Sequence, residues 1–223
     1  MPVHTGLPAA AVTVFYLHGF VSSPKSTKVQ YFTEALAARG IDVRCPDFND
    51  PDFSTMTMTR MLDQLEAGLG RAPAPAVLIG SSLGGTLAIL AAARFSTRVD
   101  RLVLLAPAVR FGDPRHHLLP PDQAEVWKRQ GDFEFFHYAH GAPRRLSYAF
   151  YGDSLKYDAF GTLFTQPALI FQGTRDVVVR ANDVEQFAAA RPNVTLSLLD
   201  DDHQLIASLP RIWNDVQPFL GVK

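Results

Sequence analysis

The fold of this 223-residue chain is decided by residues 76–94, which read Ala-Val-Leu-Ile-Gly-Ser-Ser-Leu-Gly-Gly-Thr-Leu-Ala-Ile-Leu-Ala-Ala-Ala-Arg. An apolar run leads to a serine framed by glycines, and an Ala- and Leu-rich segment of helical composition follows. This order predicts a nucleophile elbow, a tight strand-to-helix turn that exposes Ser82 at its apex. Gly80 and Gly84 have no Cβ atoms to crowd such a turn. Gly-x-Ser-x-Gly also occurs by chance, but the strand before it and the helix after it argue against that interpretation.

Apolar strands alternate with amphipathic segments along most of the chain, which predicts a mostly parallel sheet covered by helices on both faces. The predicted strands cover residues 12–17, 41–45, 76–79, 101–106, 168–172 and 195–199. The predicted helices cover residues 26–39, 55–69, the segment after Ser82, 184–190 and 205–220, the last of them kinked or restarted at Pro210.

Residues 107–166 interrupt this alternation and are rich in aromatic side chains. Segments 133–138 and 146–151 flank Gly141-Ala142-Pro143, as the two strands of a hairpin would. The insertion is either a surface excursion with its own small core or a cap over the carboxyl edge of the sheet, where open α/β sheets bind ligands. Both interpretations hold if the cap has a small core of its own. We expect one domain over residues 1–223, with a cap at about 107–166 that lines part of the substrate site.

The bulk composition excludes several classes of protein. At 47% hydrophobic residues the chain can bury one sizeable core. A net charge of −1 favours neither a nucleic-acid partner nor an anionic membrane. The single cysteine, Cys45, excludes an intramolecular disulfide and is expected to be a buried thiol at a strand end. Residues 1–11 lack the features of a signal peptide, and no apolar run is long enough to span a bilayer, so the expected location is cytoplasmic.

Two polar residues follow predicted strands in the order that a serine hydrolase requires. Such an enzyme needs a base for the hydroxyl proton and a carboxylate that holds the base in the correct tautomer. Asp176 follows the strand at 168–172, and His203 follows the strand at 195–199. The predicted catalytic residues are therefore Ser82, Asp176 and His203, in the chain order serine, acid, histidine.

Backbone amides should stabilise the oxyanion of a tetrahedral intermediate. One donor is the N–H of Leu83, directly after the serine, and the other is expected at Phe20 in the loop after the first strand. Gly19 would let that loop approach the substrate, while His18 is expected to support the loop without taking part in the chemistry.

Other polar residues are weaker candidates because of their positions. These are His116, His117, His137 and His140 in the insertion, and Asp153 and Asp158 before the acid-bearing strand. The spacing of His137 and His140 is H-x-x-H, but no carboxylate or cysteine at helical spacing completes a metal site. We therefore expect neither a metal nor a cofactor. Residues 200–202 are expected to be solvated carboxylates that favour the protonated form of His203.

The chain resembles the α/β-hydrolase superfamily, in particular its compact esterases and thioesterases. The resemblance rests on four motifs, which are Tyr16-Leu17-His18-Gly19-Phe20, Gly80-Ser81-Ser82-Leu83-Gly84-Gly85, Gly173-Thr174-Arg175-Asp176-Val177-Val178-Val179 and Asp202-His203. The stretch from His18 to Lys25 is similar to the HGF-type oxyanion loop of small bacterial esterases. Trp127, the hairpin and Tyr157-Asp158 resemble the cap of small depalmitoylating thioesterases. Asp201 departs from the pattern, since a glycine often precedes the Asp-His pair, and the N-terminal strand pair of larger members is not expected.

The resemblance implies a three-layer α/β-hydrolase fold and a cofactor-independent serine carboxylesterase. The aromatic insertion and the near-neutral charge favour esters of small to medium acyl chains. The expected pocket residues are Val21, Val109, Trp127, Phe136, Tyr138 and Val177. A thioesterase acting on acyl-protein or acyl-coenzyme A, or a carbon–carbon bond hydrolase, would use the same triad. A non-catalytic binding module is the remaining alternative and is disfavoured by the intact triad. The expected partner is a small-molecule ester or thioester, and the protein is expected to be a monomer or homodimer.

Overall fold

A parallel sheet of six strands forms the middle layer of the protein in the computed structural model, which describes residues 13–73, 75–116 and 118–222. The strands are β1 (Thr13–Leu17), β2 (Val43–Arg44), β3 (Ala76–Ser81), β4 (Val99–Leu105), β7 (Ala168–Gly173) and β8 (Val194–Leu199). They lie in the order β2-β1-β3-β4-β7-β8, and each pairs in parallel with its neighbours. A separate antiparallel hairpin consists of β5 (Asp132–His137) and β6 (Ala142–Ser147).

Helices cover both faces of the sheet. They are α1 (Thr27–Ala37), α2 (Met58–Gly70), α3 (Leu83–Arg94), α4 (Pro121–Gln130), α5 (Ala149–Ser154), α6 (Ala181–Ala189) and α7 (Leu209–Leu220). Successive residues of β1 point to opposite faces. Tyr16 therefore packs with Phe32 of α1 and Trp213 of α7, whereas Leu17 belongs to the core that contains Leu87 of α3. The predicted three-layer α/β architecture is confirmed.

The topology brings the loops of the predicted site together. Because all six strands run in the same direction, their carboxyl ends lie along one edge of the sheet. The loops after β1, β3, β7 and β8, which contain the four quoted motifs, all leave the sheet at this edge.

The insertion between β4 and β7 contains α4, the hairpin and α5. Trp127 of α4 is 1% exposed, and its indole N–H donates to the carbonyl of Leu146 at 2.9 Å. Its ring also contacts Phe135 and Tyr148. The insertion therefore has an aromatic core of its own. Its treatment as a cap at 107–166 of one domain stays a prediction.

Two elements differ from the sequence prediction. The second hairpin strand ends at Ser147, whose hydroxyl accepts from the N–H of Ala149 at 3.2 Å, and the chain turns there into α5. The side chain of Phe150 in this helix is completely buried. Helix α7 begins at Leu209 and has Pro210 in its first turn, where the missing N–H breaks no helical hydrogen bond.

Some sequence predictions fall on residues 12 and 117, which lie outside the described residues. Among the described residues, no helix combines the length and the apolar character needed to cross a membrane.

Candidate active site

Ser82 lies at the apex of the turn between β3 and α3. Its φ of 52° falls in the left-handed region that non-glycine residues rarely adopt. The backbone around it holds this conformation, since its N–H donates to Leu105 O at 2.9 Å and its carbonyl accepts from Gly85 and Ala108 at 2.9 and 3.1 Å. Such over-determined strain is typical of functional positions.

Two glycines make the close approach of strand and helix possible. A Cβ atom at Gly84 would collide with the carbonyl oxygen of Leu17 at the end of β1. A Cβ at Gly80 would lie 2.8 Å from the Cα of Gly85. Both obstacles are backbone atoms, which cannot move aside without shifting β1 or α3. The turn therefore requires glycine at both positions.

The three residues predicted to be catalytic form a continuous hydrogen-bonded chain. Nε2 of His203 lies 3.1 Å from Oγ of Ser82, and Nδ1 of His203 lies 2.8 Å from Oδ2 of Asp176. Asp176 follows β7, and His203 lies in the loop between β8 and α7. Since a carboxylate only accepts, Nδ1 carries the proton and Nε2 is free to accept the serine proton.

The carboxylate of Asp176 is buried but fully hydrogen-bonded. Its Oδ1 accepts from the N–H groups of Val178 and Val179, each at 2.8 Å, and its Oδ2 also accepts from Gln172 Nε2 at 2.9 Å. Burial acts to raise the pKa of Asp176, but the hydrogen bonds from His203, the Val179 amide and Gln172 outweigh it and lower the pKa. The group is therefore a stable anion that can orient His203.

The loop after β1 lies against the serine turn. A Cβ at Gly19 would be 3.4 Å from the Cβ of Ser82. His18, 3% exposed, holds this loop with both ring nitrogens, because Nε2 accepts from Phe48 N–H at 3.1 Å and Nδ1 lies 2.9 Å from Gly19 O. The side chain of Phe20 packs against three aromatic rings, those of Phe53, Phe135 and Phe150.

Leu83, the other predicted oxyanion donor, is the first residue of α3. The first N–H groups of a helix have no intrahelical acceptor, and the helix dipole favours negative charge beside them. Leu83 and Phe20 both line the cleft that contains Ser82 and His203.

This cleft has a volume of about 1150 Å³. Four of the six expected pocket residues line it, which are Val21, Val109, Tyr138 and Val177. Trp127 and Phe136 do not, so these two predictions are not supported. Trp127 is held inside the insertion by its bond to Leu146. Phe136 is 52% exposed, because its neighbour Phe135 takes the inward position of the hairpin strand.

The insertion is tied to the loop after β1. Tyr138 N–H donates to the carbonyl of Val21 at 3.1 Å, and Val21 itself has a φ of 49°. His137, fully buried, lies 3.0 Å from Asn49 Oδ1 through its Nε2. Asn49 in turn donates to Ser22 O at 2.9 Å. The hairpin therefore positions one wall of the cleft.

Sequence reasoning missed the charged groups of the cleft. Arg110 lies 3.3 Å from Asp183 and stacks on the ring of Phe160, and Lys28 reaches the cleft from α1. A signal existed for Lys28, because it is four residues before the buried Phe32 and so shares its helix face.

Of the other polar candidates, His116 lines the cleft, with Nε2 3.8 Å from Asp183, whereas His137 and His140 do not line it. His137 and His140 have ring centroids 4.5 Å apart, and burial and the neighbouring charge lower the pKa of His137 to about 4. Within the described parts of the chain, no group of three His, Cys, Asp or Glu side chains could hold a metal ion. Cys45 follows β2, is only partly buried, and has a pKa raised to about 12 by burial.

Solved structures of other proteins share this fold. A putative hydrolase from Agrobacterium vitis is 24% identical, with a TM-score of 0.79, and the match covers 96% of this chain and 89% of that one. Est1E from Butyrivibrio proteoclasticus, with ferulic acid bound, is 19% identical, with a TM-score of 0.81 over 99% and 91% of the two chains. A monoacylglycerol lipase from Paleococcus ferrophilus is 14% identical, with a TM-score of 0.76 over 96% and 95%.

These likenesses establish the α/β-hydrolase fold. A family model described as an uncharacterised protein family, UPF0227, matches residues 13–217. That range includes the three residues of the hydrogen-bonded chain and both loops beside the serine. The chain therefore belongs to the uncharacterised protein family UPF0227.

Proposed function

We propose that this protein is a serine carboxylesterase that cleaves esters of small to medium acyl chains. The observation that carries the proposal is the hydrogen-bonded chain from Asp176 through His203 to Ser82, with distances of 2.8 and 3.1 Å. This is the arrangement that an activated serine needs.

The reaction would proceed through an acyl-enzyme. Nε2 of His203 takes the Oγ proton as Ser82 attacks the ester carbonyl, and the N–H groups of Phe20 and Leu83 hold the oxyanion. As the intermediate collapses, the C–O bond breaks and His203 gives its proton to the leaving alcohol. Water, deprotonated by the same nitrogen, then attacks the acyl-enzyme. As the bond between the acyl carbon and Oγ breaks, His203 returns the proton to Ser82, and the carboxylic acid leaves.

The shape of the cleft supports a small-molecule substrate. Its volume, about 1150 Å³, is slightly above the range of common small-molecule pockets, roughly 300–1000 Å³, and so leaves room for a ligand of that size. Phe20, Phe150 and Tyr151 provide aromatic lining beside the serine. Residues 107–166 act in this proposal as a cap, since Tyr138 and Phe150 from the insertion line the cleft. The solved relative with ferulic acid bound and the relative described as a lipase are consistent with an ester substrate.

A fluorophosphonate probe tests the nucleophile. We expect one covalent adduct on Ser82 and none on the adjacent Ser81, as peptide mass spectrometry would report. Ser82→Ala should abolish labelling and lower kcat by about 10⁴–10⁶-fold, by analogy with serine protease triads. A folded Ser82→Ala variant that keeps its activity would refute the assignment.

Matched oxygen esters and thioesters test the bond that is cleaved. An esterase should show higher kcat/KM with the oxygen ester of the same acyl chain, and a series of graded acyl lengths should give an optimum at small to medium length. A clear preference for the thioester, or turnover of a β-diketone with no ester turnover, would replace the proposal with one of the other uses of the same triad.

A further inference from the structure

Lys28 is an unusual lysine in the wall of the candidate active site. It is the second residue of α1 and is only 7% exposed, on the same helix face as Val29 and Phe32. Lysine is almost never this buried without a partner, because removing an ammonium from water is costly. Lys28 nevertheless lines the cleft that contains Ser82 and His203.

Among the described residues, the ammonium group of Lys28 has neither a hydrogen-bond partner nor an ion-pair partner. Burial lowers the pKa of Lys28 to about 8, even though Asp176, Asp202 and Asp201 act in the opposite direction. These carboxylates therefore do not compensate for its lost hydration, and an anion in the cleft would do so.

Other charges at the cleft act in the same direction. Lys25 and Arg180 line it, are exposed, and form no ion pair among the described residues. Arg110 is already paired with Asp183 at 3.3 Å. Among the described side chains that line the cleft, the basic residues therefore outnumber the acidic one, Asp183, in a chain whose net charge is −1. A cleft lined by one sign of charge concentrates ligands of the opposite sign.

We propose that Lys28 is a specificity-determining residue that binds an anionic group of the substrate, so that the preferred esters carry a carboxylate or phosphate. The inference rests on the proposed esterase function and names its substrate class. The anionic group belongs either to the acyl part or to the alcohol part of the ester, and one pair of substrates distinguishes each arrangement.

A different role for Lys28 would be to offset the carboxylates around His203. In that case Lys28 would act on every substrate equally, through the charge on the histidine. A substrate-binding role instead changes the ratio of kcat/KM between charged and neutral esters. The ratio therefore separates the two roles.

The experiment compares aryl esters of equal acyl length that end in a carboxylate or in a methyl group, such as aryl hemiglutarate and aryl pentanoate. A second pair carries the carboxylate on the alcohol part. We expect the wild type to prefer the anionic member of one pair. Lys28→Met should lower that preference about tenfold or more, because a charge-assisted hydrogen bond is lost. Lys28→Arg should retain most of it, and Lys128→Met, at a lysine of α4 that does not line this cleft, should leave it unchanged.

The wild type provides a test that needs no variant. Because the pKa of Lys28 is about 8 in the free protein, its positive charge is present below that pH and is lost above it. The preference for anionic esters, measured as the ratio of kcat/KM values, should therefore fall as pH rises through about 8. Dividing by the neutral ester removes the contribution of His203.

Equal preference in the wild type and in Lys28→Met, or a change that affects neutral and anionic esters alike, would overturn the inference. A binding measurement keeps it testable without turnover. Calorimetry with glutarate and with inorganic phosphate on Ser82→Ala should show binding of at least one of them, and Lys28→Met should abolish it. Absence of binding in both proteins would also overturn the inference. Failure to hydrolyse any ester while glutarate still binds would instead refute the esterase proposal.

Discussion

Replacing Asp176 with Asn changes one atom of the hydrogen-bonded chain and should inactivate the protein while leaving its fold intact. The Asp176 carboxylate accepts from four donors, namely His203 Nδ1, Gln172 Nε2 and the amides of Val178 and Val179. If the Asn oxygen stays on the two amides, its NH₂ group faces Nδ1 of His203. Two donors then oppose each other, and the imidazole must move its proton to Nε2.

This tautomer has no lone pair toward Ser82, so the base is lost. The same substitution in a serine protease triad lowers kcat by about 10⁴-fold because of the wrong tautomer. We expect a loss of that size here, equivalent to about 5.5 kcal/mol of transition-state stabilisation. The 3.1 Å distance between Nε2 and Oγ should persist, since the packing around the ring is unchanged.

The assay is kcat with a short-chain chromogenic ester, together with the rate of fluorophosphonate labelling. Asp200→Asn is the matched control, because it removes the same charge from the neighbouring loop, at an 87% exposed side chain paired with Arg175. Its kcat should stay within about twofold of the wild type, since exposed ion pairs contribute little. Asp176→Asn activity within tenfold of the wild type, with an unchanged melting temperature, would refute the role assigned to this carboxylate.

Three further predictions concern the fold around the site. Gly84→Ala should cost about 3 kcal/mol of unfolding free energy, because the new Cβ collides with backbone; denaturant unfolding should show no such loss for Gly70→Ala, whose Cβ meets nothing within 4 Å. Trp127→Phe should cost about 1–3 kcal/mol by leaving the Leu146 carbonyl unpaired, yet kcat should be unchanged, and a large drop in kcat at full folding would contradict the position of Trp127 outside the cleft. His137 has a pKa of about 4 when folded and an unfolded value near 6.5, so the unfolded state binds the extra proton between these values and stability falls as pH drops from about 6.5 to about 4. Calorimetric melts should show this loss of stability in the wild type and a smaller loss in His137→Gln over the same pH range. If stability falls with pH at the same slope in both proteins, His137 is not the source of the loss.

Much of the fold was predictable from short-range patterns. Hydrophobic periodicity identified the strands of the main sheet and the helices that cover it. The glycines around Ser82, with an apolar run before them and a helical segment after them, indicated a strand-to-helix turn. The order of Ser82, Asp176 and His203 also predicted that they lie together, since each follows a strand and parallel strands end at one edge of the sheet. These features depend on local sterics and on the alternation of buried and exposed positions, and both follow from the order of residues in the chain.

Other features depended on contacts between distant segments. The sequence predicted a strand over 146–151, but residues from Ala149 onward form α5, and Phe150 of this helix packs against Phe20. Trp127 was expected in the pocket, but its bond to Leu146 holds it inside the insertion. The position of Trp127 has no local signal, because it is decided by which partner the side chain meets. The start of α5 has a weak one, the Ser147 hydroxyl that accepts from the Ala149 N–H.

The sequence by itself determined the α/β architecture, the strand-to-helix turn at Ser82 and the placement of Asp176 and His203 after strands. Only the tertiary structure decided that these side chains, up to 121 positions apart along the chain, lie within hydrogen-bond distance. It also decided that Lys28, which its spacing only places on the buried face of α1, faces the same cleft, where no described residue forms a hydrogen bond or ion pair with it. Periodicity reports which face of an element is buried, whereas the neighbours on that face follow from how the layers pack.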